Sequence, residues 1–506
     1  MAKSLDDSDG SGTLGVNPPF SFGTGSDSGF AILFELAALI PLVTYLARPQ
    51  EGHRFAGMAS LSGRLQIGLF PKLHVLTTVA RLLKEGPNFL DEACSIGELR
   101  REVWDANWGS VFPCANGAAS SMITAYSVRQ AKTIPMPETV AKTPNTTKPG
   151  AGNIAITPPS TSLFRRYQTL HVLRFSREEG PGHPHRAKTI TVLQDVVVEV
   201  ILLGMLGGAT AFCSLFGMYG TAGSIIVAFL LRICRRLVII KRAPHYLQDN
   251  EGQRMDACML SAIHQNASTW YLYVGDRGIV DNLLNKSMIQ SITTIFGDGG
   301  VMTLAFLLQF LSFLQLACMT FVAAQKGWDG VGLLVFIFVS WFFEEMVSCS
   351  HSGLAKRWLK KNRIKVEPRT FVFSGRVAMM GAIQVFKCNP QMSWMDGIIQ
   401  PCPRRNVLMQ GLCGYQDAYC QGLAELDQYD QKWVEQFMSL CQQAGDIMHQ
   451  EFTNAQNTNR LNPHGAFLIN DISLCCSLGD PDYCKGPVRP ENYPRLPPLP
   501  PPKESS

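Results

Sequence analysis

Ionisable and amide side chains inside long apolar segments are the first residues whose types could do chemistry. Glu35, Glu199 and Arg232 each interrupt an apolar run, and Gln309 and Gln315 lie in the longest one. A charge facing lipid costs about 3 kcal/mol, so such residues in membrane helices face protein or a water-filled path. Glu35 therefore predicts either a carboxylate in a proton- or cation-coupled transport path, or a structural carboxylate that pairs with Arg232 or a glutamine.

A glycine-rich turn carries a second candidate chemistry. Gly275, Asp276, Arg277 and Gly278 follow a segment of strand character and precede one of helical character. Backbone amides and an arginine at a helix N-terminus suit an anion or a phosphate. The turn lacks the Lys-Ser/Thr pair of a P-loop and the spacing of a dinucleotide fingerprint. A tight turn with a surface arginine is therefore the alternative interpretation.

The C-terminal segment is dense in proline, which favours polyproline II because proline lacks a backbone donor and fixes φ. Pro498 and Pro501 lie three residues apart, and Lys503 follows. This spacing places both prolines on one face of a helix with three residues per turn. The motif predicts a ligand for a Src-homology-3 domain, whose acidic rim would meet the lysine. A plain disordered end is the alternative.

Cysteines are concentrated toward the C-terminus, where eight of the 15 lie from Cys388 onward. They are compatible with free buried thiols, with disulfides in an oxidising compartment, or with a metal site, although no Cys-x-x-Cys spacing occurs. The sequence has no His-Glu-x-x-His, Gly-x-Ser-x-Gly or Walker pattern. No catalytic residue, cofactor or metal site is therefore predicted, and an enzyme is the less favoured class.

Long apolar runs dominate the architecture that these residues need. Charged residues make up 17% of the chain, below the usual ~25%. A helix that crosses a bilayer needs ~20 consecutive, mostly apolar residues. Five runs approach that length, at 30–47, 196–217, 220–240, 301–324 and 330–349. They predict an α-helical multi-pass membrane protein of about five spans, with a small mixed α/β cytoplasmic domain and disordered tails.

Basic residues suggest an orientation for these runs. Lys and Arg cluster after the first run, at the end of the third and in 356–369, whereas the N-terminal tail has four Asp and only Lys3. Because basic loops stay in the cytoplasm, the N-terminus is predicted outside and the C-terminus in the cytoplasm.

The remaining segments complete the predicted organisation. Leu73–Leu83 and 424–450 have helical periodicity, and Trp270–Met288 and Phe371–Phe386 each indicate a strand, a glycine turn and a helix. The predicted regions are a disordered tail (1–29), span one (30–47), a cytoplasmic helical segment with a Pro/Thr-rich linker (48–195), spans two and three (196–240), a cytoplasmic loop domain (241–300), spans four and five (301–349), a Cys-rich cytoplasmic region (350–486) and a Pro-rich disordered tail (487–506).

Three motifs carry a resemblance to a known group of proteins. Trp270–Lys286, the apolar run after it, and Trp394–Gly397 with Pro401–Arg405 resemble uncharacterised multi-pass integral membrane proteins of filamentous fungi, some of them encoded near secondary-metabolite gene clusters. The resemblance implies membrane residence and transfers no catalytic residue.

Three functions follow as expectations. The first is a non-enzymatic scaffold or accessory in a membrane, possibly one serving secondary-metabolite production. The others are a small-molecule transporter that uses Glu35 and a membrane-bound enzyme with an unrecognised site. The expected partner is the lipid bilayer of the plasma membrane or an endomembrane, with a Src-homology-3 domain at the tail. The net charge of +5 is too small to predict nucleic-acid binding.

Overall fold

A computed structural model describes the chain in ranges separated by gaps. These ranges are 28–47, 52–65, 67–86, 88–90, 100–137, 166–178, 184–243, 246–248, 256–297, 299–325, 327–343, 351–387 and 391–459. The chain divides into two compact units. The first unit comprises Met1–Met136, Ile156–Gly375 and Trp394–Ile398, and the second comprises Pro137–Ala155, Arg376–Ser393 and Ile399–Ser506.

A mixed β-sheet is the largest feature of the first unit. Among the described residues its strands are β1 (Glu102–Asp105), β2 (Val111–Pro113), β3 (Lys132–Pro135), β4 (Gln168–Arg177), β6 (Ala257–Ala262), β7 (Thr269–Gly275) and β9 (Ile364–Phe373). They form a seven-stranded sheet in the order β2-β1-β6-β7-β4-β9-β3. The pairs β4–β7 and β3–β9 are parallel, and the other pairs are antiparallel. A separate antiparallel pair joins β5 (Val238–Lys241) to β8 (Ser291–Thr294).

Residues on the central strands explain why the sheet forms there. Strands β4 and β9 pair over ten residues, from Gln168 opposite Phe373 to Arg177 opposite Ile364. Strand β9 is rich in β-branched and aromatic residues, which pack well on a pleated surface, and β4 contributes Val172 and Phe175. At the end of β7, Gly275 has φ +108°, and a Cβ there would collide with the carbonyl oxygen of Phe175. Glycine is therefore required for the close approach of β7 to β4.

One face of the sheet is covered by helices of the same unit. These helices are α4 (Gly117–Val128), α7 (Arg277–Leu284) and α10 (His351–Lys361). Their buried side chains, such as Ile123, Leu283 and Trp358, share a hydrophobic core with Tyr273 and Phe175 of the sheet. This burial of apolar area is the main stabilisation of the sheet domain.

The apolar runs form helices that pack on one another. Their bounds are α1 (Ser28–Leu46), α5 (Pro184–Leu215), α6 (Tyr219–Leu237), α8 (Gly299–Gln325) and α9 (Trp328–Phe343). Two shorter helices, α2 (Gly52–Ser62) and α3 (Leu73–Glu85), lie beside them. Phe55, Leu76, Val227 and Leu308 are in one core, which joins α2, α3, α6 and α8.

The predicted fold class, an α-helical multi-pass membrane protein of about five spans with a small α/β domain, is wrong. Within the described residues two helices, not five, are long and apolar enough to cross a membrane. The chain is instead organised around the seven-stranded mixed sheet with many helices, as in an α/β protein. Two physical reasons account for the error. Charges and short length disqualify three of the apolar helices, and strands β1 to β4 arise in a region predicted to be helix and linker.

The second unit is helical where it is described. It contains α11 (Arg376–Lys387), α12 (Pro403–Leu412), α13 (Gln416–Glu425) and α14 (Gln428–Asn459). Helix α14 packs on α11 and α12. Apolar residues recur at helical spacing in the segment 424–450, and of these Leu440, Cys441, Ala444 and Met448 are buried, whereas Tyr429 is 73% exposed. These apolar residues thus form the packing face of α14 in the middle of the helix, whereas Tyr429 at its start is exposed.

Candidate functional site: the apolar helices and their buried charges

Helices α5 and α8 have the composition and length of membrane spans. The windows Val197–Leu215 and Gly299–Gln325 satisfy both conditions. Only 17% of the α5 window and 33% of the α8 window is buried within the protein. A core helix of a soluble protein is mostly buried, whereas most of each of these two windows is exposed on the described protein.

The exposed face of α8 is made of large apolar side chains. Phe306 and Phe313 are 70% and 60% exposed, and Met302 and Phe310 lie on the same face. The opposite face, which includes Leu308 and Leu311, is buried against the protein. The helix is therefore apolar all round, as is typical of a helix in the core of a large protein or in a membrane.

The shorter helices α1 and α9 expose the same kind of surface. They pack on each other and on α8. Val43 of α1 and Phe338, Val339 and Trp341 of α9 are all more than half exposed. The five apolar helices α1, α5, α6, α8 and α9, here called the helical group, thus all carry exposed apolar side chains.

A buried ion cluster joins α5 to α6. Arg232 Nη1 donates to both carboxylate oxygens of Glu199, at 2.9 and 3.0 Å, and Arg235 Nη2 donates to Glu199 Oε1 at 2.6 Å. The three side chains are 4% to 13% exposed. One carboxylate thus compensates two guanidinium groups and leaves a single net positive charge. Because a buried charge needs a partner, the cluster fixes how α5 and α6 meet.

A second polar contact caps the start of α6. The carboxylate of Asp329 accepts hydrogen bonds from the backbone amides of Gly220 (2.8 Å) and Thr221 (2.7 Å). Thr221 Oγ1 donates in return to the Asp329 carbonyl oxygen at 2.7 Å. Met218, the residue at the N-cap position, makes no side-chain cap. Asp329 of α9 therefore satisfies the first-turn amides of α6 and complements its dipole.

The sequence alone does not reveal this contact. Asp329 lies between the apolar runs at 301–324 and 330–349, and its partner amides carry no side-chain signal. One pointer was available, because a carboxylate at the edge of an apolar helix is costly unless a donor lies close by.

The predicted intramembrane residues are dispersed rather than gathered into a path. Glu35 is exposed on α1, and Arg232 pairs with Glu199 rather than with Glu35. Gln309 Oε1 accepts from Lys84 Nζ at 3.2 Å. Gln315 is fully buried. Of the five, the structure brings only Glu199 and Arg232 together, as a buried ion pair.

The glycine turn has its charges paired within the protein. Asp276 accepts from the Ile279 amide at 3.1 Å and so caps α7, and its carboxylate pairs with Arg177 at 2.6 Å. Arg277 is buried between Asp281 (3.5 Å) and Asp105 (3.7 Å). The interpretation of Arg277 as a surface side chain is thus wrong. The anion site that includes Gly275 and Gly278 remains a prediction, in which two carboxylates would compete with an anion for Arg277.

The cysteines of the second unit are free thiols where they are described. Cys402, Cys413, Cys420 and Cys441 form no disulfide, and no cluster of three or more metal-ligating side chains occurs in the described ranges. Burial raises the pKa of Cys441 to about 12. Cys388, Cys475, Cys476 and Cys484 lie outside the described residues, as does the Pro498, Pro501 and Lys503 motif.

Comparison with known proteins adds no relative to this picture. No protein family, curated protein or solved structure shows a significant match to the chain.

Proposed function

We propose that the protein is an integral membrane protein that crosses the bilayer with α5 and α8 and acts as a non-enzymatic scaffold or accessory. The observation that carries this proposal is the exposed apolar face of α8, with Phe306 at 70% exposure while the opposite face packs on protein. Three exposed phenylalanines on one helix face, Phe306, Phe310 and Phe313, are unfavourable in water and favourable in lipid.

Length supports the same conclusion. Helix α8 has 27 residues, which at 1.5 Å per residue gives about 40 Å, more than the ~30 Å hydrocarbon layer. The apolar window of α5 has 19 residues, or about 29 Å. The α5 window is thus close to the thickness of the hydrocarbon layer, and α8 can cross it with a tilt.

The use of the polar groups supports a structural rather than a transporting role. A transport path needs ionisable groups that can bind and release a substrate. Glu199 is already held by two arginines, and Asp329 by two backbone amides. These groups stabilise the packing of the helices, and Glu35 lies on the outside of α1.

Two experiments test the two parts of the proposal. Membranes from cells that express the full chain should retain it in the pellet after alkaline carbonate extraction, and release into the supernatant would contradict anchoring. If the scaffold serves secondary-metabolite production, deletion of the gene should lower the levels of secondary metabolites inside and outside the cell together. Accumulation of a product inside the cell would favour a transporter instead, and loss of a single conversion would favour an enzyme.

A further inference from the structure

A basic cleft lies on the sheet domain, between α4, α10 and β9. Its volume is about 400 Å³, which falls in the range of small-molecule sites. Apart from Tyr126, its polar lining consists of Ser127, Gln130, Glu178, Lys356, Lys360 and Lys365.

The charges of the lining favour an anion. Lys356 and Lys360 are one helical turn apart on α10, and both are exposed. Lys365 comes from β9, and its ammonium group pairs with Glu367 at 2.7 Å. Glu178 is the acidic residue of the lining. The two lysines of α10 therefore outnumber the remaining carboxylate and give the cleft a positive potential.

A buried hydroxyl provides a second, independent indication of a ligand. Ser127 lies in the last turn of α4 and lines the cleft, yet it is 2% exposed. Its Oγ has no hydrogen-bond partner among the residues that the structure describes. Buried hydroxyl groups are nearly always satisfied, so an unmatched one beside lysines suits an anionic oxygen that would accept its hydrogen bond.

Contacts behind the cleft tie it to the apolar helices. Trp358, on the buried face of α10, donates from Nε1 to the Tyr246 hydroxyl at 2.8 Å. The guanidinium of Arg242 lies over the Tyr246 ring, 4.7 Å from its centroid. Arg242 is the first residue after β5, and β5 begins directly after the end of α6. Helix α10, which carries Lys356 and Lys360, thus contacts the segment that follows α6 and β5 through Tyr246.

We propose that this cleft binds a phosphate group, and that the phosphate belongs to the headgroup of an anionic phospholipid with a phosphomonoester. Two lysines and a free hydroxyl match the charge and the acceptor oxygens of such a group. The lipid source rests on the proposed membrane anchoring, since a headgroup reaches the cleft only if the sheet domain lies at the bilayer surface.

The test uses the full chain in detergent micelles and three probes. These are dioctanoyl phosphatidylinositol 4-phosphate, dioctanoyl phosphatidylinositol as the same lipid without the monoester, and inorganic phosphate. Lys356→Ala with Lys360→Ala should weaken binding of the first probe about thirtyfold, at about tenfold per 1.4 kcal/mol and one basic contact per ~1 kcal/mol. Arg357→Ala with Lys361→Ala is the matched control. It removes the same charge from the same helix outside the cleft lining, and it should weaken binding less than about threefold.

Ser127→Ala separates recognition from folding. It should weaken binding of the monophosphate about tenfold, because a hydrogen bond to a charged oxygen is lost. Its thermal midpoint should stay at the parent value, because the hydroxyl has no partner to lose in the described chain.

The remaining outcomes each decide the proposal. Equal weakening by the two double variants, or equal affinity for the two lipids, would overturn it. Inorganic phosphate that binds as tightly as the monophosphate lipid would overturn the lipid source. Carbonate extraction of the same variants distinguishes the two proposals. A chain that stays in the membrane without lipid selectivity refutes only the cleft, whereas a chain that is extracted refutes the anchoring.

Discussion

Removal of the Glu199 carboxylate should destabilise the helical group more than removal of any exposed carboxylate. Glu199 is hydrogen-bonded to Arg232 at 2.9 and 3.0 Å and to Arg235 at 2.6 Å, and all three side chains are nearly buried. In Glu199→Ala the two guanidinium groups would remain buried next to each other without a counter-charge. Breaking a buried pair in this way costs about 3–5 kcal/mol, much more than a surface pair is worth.

The assay is the thermal midpoint of the full chain in detergent, followed by size-exclusion chromatography of heated samples. A loss of 3–5 kcal/mol corresponds to a drop of about 10 °C for a unit of this size. Glu199→Gln should fall between Glu199→Ala and the parent, because the amide oxygen still accepts a hydrogen bond from Arg232. Glu35→Ala is the matched control, since it removes a carboxylate from an exposed position of α1. Equal midpoints for Glu199→Ala and Glu35→Ala would refute the reasoning.

Two further predictions concern the α6 cap and the thiols. Asp329→Ala should lower the thermal midpoint by the equivalent of about 2–4 kcal/mol, because two amides of α6 lose their acceptor. Asp329→Asn should lower the midpoint less, since one carbonyl oxygen remains as an acceptor. Similar midpoints for Asp329→Ala and the parent would contradict the cap. Cys441 should stay unalkylated by maleimide at pH 7 to 9, because burial raises its pKa to about 12 and the thiol remains protonated throughout that range. The exposed Cys420 should react under the same conditions, and mass spectrometry of the labelled peptides would show a failure of either expectation.

Helix positions were the part of the fold that the sequence predicted well. Each of the five apolar runs contains a helix, and the periodicity of Leu73–Leu83 matches α3, which ends at Glu85. The two strand-turn-helix segments also form, as β7 with α7 and β9 with α11. These features depend on local periodicity, which a single sequence displays.

The sheet could not be predicted because its pairings are distant in sequence. Strand β4 pairs with β9 between Gln168 and Phe373, and nothing local specifies that register. Strands β1 and β2 are four and three residues long, too short for an alternation to stand out. The number of apolar runs also overestimated the number of spans. For example, α6 is apolar on average, but the three arginines in its last turns make it too charged to qualify as a span.

Part of the buried ion cluster was within reach of the sequence. Glu199 lies 18 residues before Gly217 and Arg232 lies 15 after it, so a helical hairpin with its turn at Gly217 brings them to the same level. The predicted alternatives for Glu35 included a pair with Arg232, but consecutive apolar helices joined by a short turn pack antiparallel, which favours Glu199 as the partner of Arg232. The contribution of Asp329 depends on packing between α6 and α9, which only the structure supplies.

The central claim is that lipid surrounds the exposed face of α8. Charged residues placed on that face test the claim most directly. Phe306→Glu with Phe313→Glu adds two carboxylates where the side chains are 70% and 60% exposed, and Tyr429→Glu, at 73% exposure on α14, is the control. In lipid each carboxylate costs about 3 kcal/mol, whereas in water both would be tolerated. We predict that the double variant is lost from the carbonate-resistant membrane fraction while Tyr429→Glu remains there. A double variant that stays in that fraction at the parent level, or a parent chain that is soluble without detergent, would contradict the account.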